Sequence, residues 1–182
     1  MSKEIVSSIS AFPLEGVRAL EISEIWAGPF CGSLLADMGA EIIKVESPNG
    51  PSTRGNLGQG GLPEGIEGPP TLNTAGGFND GSANKLSITL NTRTPRGIDL
   101  IKRLVSISDI VIENFAYGVL EKWGFGYSQL KAIKPDIVYV SNCGFGHVGP
   151  YASFLVLGRG TFAIAGHGNG NALFAVLFQF VA

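Results

Sequence analysis

The chain has 182 residues, 45% of them apolar and 15% charged, with a formal net charge of -2. Those proportions exclude a disordered chain and suffice for one good hydrophobic core. The near-neutral balance excludes an electrostatic nucleic-acid surface as the main business.

In chain order, residues 1–12 read as a loose leader, and the fold is expected to start near Pro13. The leader has no apolar core and no cleavage pattern, so no secretion signal is visible. Val17–Ile22 carries the apolar spacing of a strand, Ser23–Ala27 reads as a loop, and Gly28–Gly39 as a helix. Pro29 suits a first helical turn, Gly28 can bring backbone close to a ligand, and Gly39 is placed to end the helix. Glu41–Glu46 (EIIKVE) is a short β-branched run of the kind found in parallel sheets. This βαβ opening presents helix N–H groups to an anion, but it lacks GxGxxG, so no dinucleotide fingerprint is available.

Ser47–Gly81 is rich in Gly, Pro and Asn and shows no helix or strand pattern. A connection of that length in a compact domain points to a functional or covered loop. Leu86–Leu90 reads as a strand, and Thr94 with Pro95 opens a helix whose stripe is Ile98, Ile101, Leu104 and Val105. Asp109–Ile112 is a further strand, Val119–Trp123 and Tyr127–Ile133 are short helices, and Ile137–Val140 is again a strand. Strands alternating with helices predict an α/β fold with a parallel sheet and helices on both faces. Ligands on such sheets bind at the carboxyl ends of strands. That rule selects Ser23–Ala27, Glu46–Pro51, Glu113–Ala116 and Ser141–Gly149.

Beyond Phe154 the sequence becomes apolar and Gly-interrupted, with Arg159 and His167 its only ionisable side chains. Its longest apolar run, Ala172–Ala182, is too short to span a bilayer, so no membrane partner is expected. Cys31 and Cys143 are far apart, which fits a reducing compartment better than a disulfide framework. A cytoplasmic protein is the expectation. Neither His147 nor His167 has a nearby carboxylate in sequence, no metal-ligand set is visible, and Cys143 lacks a nearby base.

Four stretches carry a family resemblance: EISEIWAGPFCGSLLADMGAEIIKVESPNGPSTRG, NKLSITLNTRTPRG, DIVIENFAYGVLEKWGF and PDIVYVSNCGFGHVGPY. In order and spacing they resemble the family III CoA-transferases (the CaiB/BaiF group). That group includes formyl-CoA transferases and, on the same scaffold, α-methylacyl-CoA racemase. The resemblance covers roughly Leu14–Gly166. It implies a Rossmann-like CoA-binding domain over 13–154, an apolar Gly-rich tail over 155–182, and a longer parent of which this chain is an N-terminal piece. The implied reaction moves CoA between an acyl-CoA and a small carboxylic acid.

The resemblance also implies site residues. Ile25, Trp26 and Ala27 would line CoA, although Trp26 could equally cap the core. Lys85 matches a lysine that meets the CoA phosphates, and a compact cation suits that role. Asn114 and Phe115 match a motif beside CoA, with a strand-end cap and a core phenylalanine as the alternative. Lys122 and Ser47 stand where relatives use arginines, and Trp123 could offer a stacking face. Counted without gaps from Gly149-Pro150, the slot of the family's aspartate nucleophile falls on Gly158, and no Asp or Glu follows Asp136. No catalytic residue is therefore assigned to the chain. A racemase-type member and a non-catalytic CoA-binding subunit of a heteromer are the alternatives. Interlocked dimers in the family imply a homodimer or heteromer.

Overall fold

A computed structural model describes residues 12–48, 54 and 73–155, together with the backbone of 179–181. Strand β1 (Arg18–Ile22) leads into helix α1 (Ala27–Asp37) and strand β2 (Glu41–Glu46). Helix α2 (Gly76–Asp80), strand β3 (Lys85–Thr89) and helix α3 (Pro95–Ser106) follow. The rest comprises β4 (Ile110–Glu113), α4 (Val119–Trp123), α5 (Tyr127–Ile133), β5 (Val138–Ser141) and β6 (Gln179–Val181).

The strands form one sheet in the order β3-β2-β1-β4-β5-β6. The first five run parallel, as the alternating pattern predicts, and β6 pairs antiparallel with β5. One expectation needs correcting. Residues 47–81 contain a helix, α2, whose five residues start without a side-chain cap and so leave little sequence signal. Near the end of the chain, Gln179–Val181 form the edge strand β6. Most of the leader and of the tail, including Gly158 and His167, lies outside the described residues.

Side-chain alternation sorts β1 between two layers. Leu20 and Ile22 join Val45, Val111 and Tyr139 in a core closed by Ile101 and Val105 of α3, Leu120 of α4 and Leu130 of α5. Ala19 joins Ile42, Ile112 and Val140 on the opposite face, covered by Cys31, Leu35 and Ala36 of α1. Helix α3 starts as the sequence predicts: Thr94 Oγ accepts the Gly97 N–H at 3.1 Å and Pro95 occupies the first turn.

Candidate functional site

The strand order reverses between β1 and β4, which places the loops after those strands on either side of a crevice. Asn114 ties the two loops together. Its Oδ1 accepts the Glu24 N–H at 2.8 Å and its Nδ2 donates to the Glu24 carbonyl at 2.6 Å. The next residue, Ile25, sits at φ 67°. A β-branched side chain in that left-handed region costs of order 1–3 kcal/mol and persists only where its surroundings enforce it. The Asn114 clamp supplies that enforcement.

Helix α1 then begins with Trp26 as its N-cap, without a side-chain capping bond. Gly28 is required here for a reason other than ligand approach. A Cβ at this position would lie 2.4 Å from Ser23 Cβ and 3.1 Å from Asn114 Cγ. The glycine lets α1 start directly against the end of β1 and the clamp. Ser23, 3% exposed, has a buried hydroxyl oxygen with no hydrogen-bond partner among the described residues, and the same holds for the buried Asn142 Nδ2 after β5. Such orphan polar atoms are rare in folded proteins, and these two stand on the rim that the sheet topology selects.

The clamp thus sets Asn114 against Glu24, the residue before Ile25, Trp26 and Ala27, with Phe115 next to Asn114 in the chain. Phe115 turns inward, packing edge-on against Trp123 at 5.1 Å between ring centroids, so Trp123 is engaged with the core. Lys122 is exposed on α4, and Ser47 is exposed just after β2.

Lys85 is placed differently from the solvent-facing cation that a phosphate ligand needs. Its side chain is 1% exposed beneath α1. The ammonium donates to Glu21 Oε2 at 2.6 Å, to the Pro29 carbonyl at 2.5 Å and to the Gly81 carbonyl at 2.7 Å. An ammonium has three N–H donors, and all three are used. Burial pulls Lys85 below the usual lysine value, with Glu21 opposing. Lys44 Nζ donates to the other carboxylate oxygen of Glu21 at 2.6 Å, so two lysines share one buried carboxylate. Gly32 makes room for them: a Cβ there would meet Glu21 Oε2 at 2.1 Å.

This network opens toward a pocket of about 280 Å³ lined by Lys44, Glu46, Arg54, Phe78, Lys85 and Ser87, among others. Arg54 grips Glu46 with two bonds, Nε to Oε2 at 2.9 Å and Nη2 to Oε1 at 2.7 Å, above the Phe78 ring at 4.0 Å. Burial pushes the Glu46 carboxyl up. Bonds from Arg54 and Ser87, with the charges of Arg54 and Lys44, outweigh it and hold the group below the usual carboxylate range. Sequence reasoning missed Glu21, Lys44 and Glu46. The available signal was charge inside otherwise apolar strands of a sheet covered on both faces.

A second buried carboxylate closes the rim. Glu113, 3% exposed at the end of β4, accepts the Phe115 N–H at 2.8 Å and the Tyr139 hydroxyl at 3.1 Å. Ser141, its register partner on β5, stands beside it and favours the ionised form. Burial raises the Glu113 carboxyl above its ordinary value despite those donors. Among the described residues, no group of His, Cys, Asp and Glu is arranged to hold a metal, and no helix is long and apolar enough to cross a membrane.

Comparison with known proteins fits this topology. The family model for CoA-transferase family III matches residues 14–168. A succinate–glutarate CoA-transferase of Agrobacterium fabrum is 41% identical over 149 residues, covering 78% of this chain and 35% of the relative. A succinyl-CoA–D-citramalate CoA-transferase of Chloroflexus aurantiacus is 44% identical over 139 residues, covering 76% of this chain and 32% of the relative. The crystal structure of a CAIB/BAIF family protein from Brucella suis superposes with a TM-score of 0.72 at 43% identity, over 86% of this chain and 39% of that one. The chain therefore spans about a third of the length of these curated relatives. With the family model matching across both loops of the crevice and all five parallel strands, the chain belongs to CoA-transferase family III.

Proposed function

We propose that this chain supplies the CoA-binding part of an enzyme that moves CoA between an acyl-CoA and a small carboxylic acid. The observation that carries the reading is the family match over residues 14–168, which includes the clamped rim between β1 and β4. CoA lies along that rim in this reading. Ile25, Trp26 and Ala27 line it from the start of α1, Asn114 and Phe115 from the end of β4, and Ser47 and Lys122 face its polar groups. The orphaned Ser23 and Asn142 atoms support a polar ligand there. Lys85 acts indirectly, holding the first turn of α1 through the Pro29 carbonyl.

Covalent transfer needs a carboxylate nucleophile. The sequence resemblance puts that slot at Gly158, so the chain's own part is binding. A homodimer or a heteromer would complete the site. The exposed stripe of Phe30 and Leu34 on α1, with Met38 at its C-cap, supports burial against another surface.

A thermal-shift titration of the purified chain with free CoA tests the reading. Binding raises the midpoint by mass action, equivalent to about 2.7 kcal/mol at a hundredfold excess over Kd. Trp26→Ala should reduce the rise while leaving the unliganded transition in place. A cooperative transition that CoA fails to move in the unsubstituted chain overturns it.

A further inference from the structure

We propose that Glu113, Ser141 and His147 form a proton relay that loads and unloads a buried carboxyl from the loop after β5, giving this rim an acid–base group. The geometry is continuous from inside to outside. Glu113 is 3% exposed and Ser141 is 1% exposed, whereas His147 is half-buried on the loop beyond β5. Ser141 stands beside Glu113 as its register partner and favours its ionised form, and Ser141 Oγ lies 2.6 Å from His147 Nε2.

One hydroxyl proton between two titratable neighbours defines two states. With Glu113 ionised, Ser141 donates to the carboxylate and accepts from the Nε2–H of His147. With Glu113 protonated, Ser141 accepts from the carboxyl and donates to a bare Nε2. Passing between them takes one proton from solution. It adds to the imidazole, the Nε2–H bond breaks as the serine oxygen takes that proton, and the serine O–H bond breaks as the carboxylate takes the other. Serine and imidazole return neutral, the carboxyl gains one proton, and nothing is oxidised or reduced. The reverse sequence delivers the proton to whatever basic group meets the imidazole.

Burial favours a stored proton over a permanent charge, whereas Ser141, the Phe115 N–H, Tyr139 and the charge of His147 all favour the ionised carboxylate. Among the described residues, no Lys or Arg side chain bonds Glu113. Its partners are the Tyr139 hydroxyl, the Phe115 N–H and Ser141. Burial raises the Cys143 thiol, which Ser141 opposes, and Glu121 acts on Tyr139 through its charge. The Tyr117 ring packs edge-on against His147 at 5.3 Å and fixes the imidazole plane. The relay suits an acidic ligand, a carboxylic acid or a thiol, whose proton must be taken up or returned. It is a property of the chain without ligand, so its test is independent of CoA binding.

The test couples two spectra of the purified chain across pH. Infrared difference spectroscopy follows the carbonyl band of protonated Glu113, assigned by its loss in Glu113→Gln. Nitrogen-15 NMR follows the neutral tautomer of His147, assigned by its loss in His147→Gln. The relay requires the tautomer to switch from Nε2–H to Nδ1–H at the midpoint where Glu113 protonates, and Ser141→Ala to abolish the switch. Removing the imidazole should also slow deuterium exchange of the Glu113 proton by roughly tenfold or more, since exchange then relies on local opening. A single tautomer throughout the Glu113 titration, a Glu113 that never titrates while the chain is folded, or unchanged exchange in His147→Gln overturns the proposal.

Discussion

The sheet buries two glutamates one residue apart in register, Glu21 on β1 and Glu113 on β4, facing opposite layers. Glu21 lies under α1 with an ammonium on each carboxylate oxygen. Glu113 lies above the other layer among a phenol, a serine and a backbone N–H. The strand backbone is the same; the partners differ. Charge partners make a carboxylate part of the framework, whereas neutral donors in a buried place leave it free to exchange a proton.

Breaking the charged side should have the largest effect. Lys85→Met leaves Glu21 buried with one cation instead of two and removes the tie to Pro29 and Gly81. Losing one member of a buried ion pair costs about 3–5 kcal/mol, which urea denaturation would register as a lower midpoint. A loss below about 1 kcal/mol would place Lys85 with ordinary surface pairs. Gly28→Ala, which forces α1 away from Ser23 and the Asn114 clamp, should cost about 1–3 kcal/mol through overpacking. Thr94→Ala offers a scale remote from both glutamates, since a lost helix cap costs about 1 kcal/mol.

Glu113→Gln should show the smallest effect, and one that depends on pH. The folded state holds the Glu113 carboxyl above its unfolded value, so it binds more protons than the unfolded chain in that window. Its contribution is therefore complete below the ordinary carboxylate range and is lost as pH rises through the folded value. Glutamine does not titrate, so the variant should gain on the unsubstituted chain as pH rises. Denaturation midpoints at acid and neutral pH would show the difference; a gap that widens toward acid would reverse the assignment.

Much of the fold was legible because it is local. The bounds of β2, α4 and α5 follow from short apolar periods and stop signals, and Thr94-Pro95 announces α3 by cap chemistry alone. The candidate site was legible by loop but not by role. Lys44 meets Glu21 because β1 and β2 pair in a register that makes them cross-strand partners. Nothing within EIIKVE reveals that partner. Lys85 reads as a surface cation until β3 docks beside β2 and α1 covers it. Glu113 and His147 are 34 residues apart, joined only when β5 aligns Ser141 with the end of β4. Gly28 was legible as a close approach, but what it approaches is the Asn114 clamp.

That clamp joins residues 90 apart in sequence, and this has a consequence for the order in which the chain folds. Pairings of such separation carry a large loop-closure cost and form slowly, after local elements are in place. The β1–α1–β2 unit can assemble from neighbouring residues, yet its left-handed Ile25 turn is held only once β4 has docked. Until then the start of α1 is free to relax, so the rim matures with the last long-range strand pairing. A substitution that slows β1–β4 docking would then delay ligand competence on refolding while sparing the helical signal.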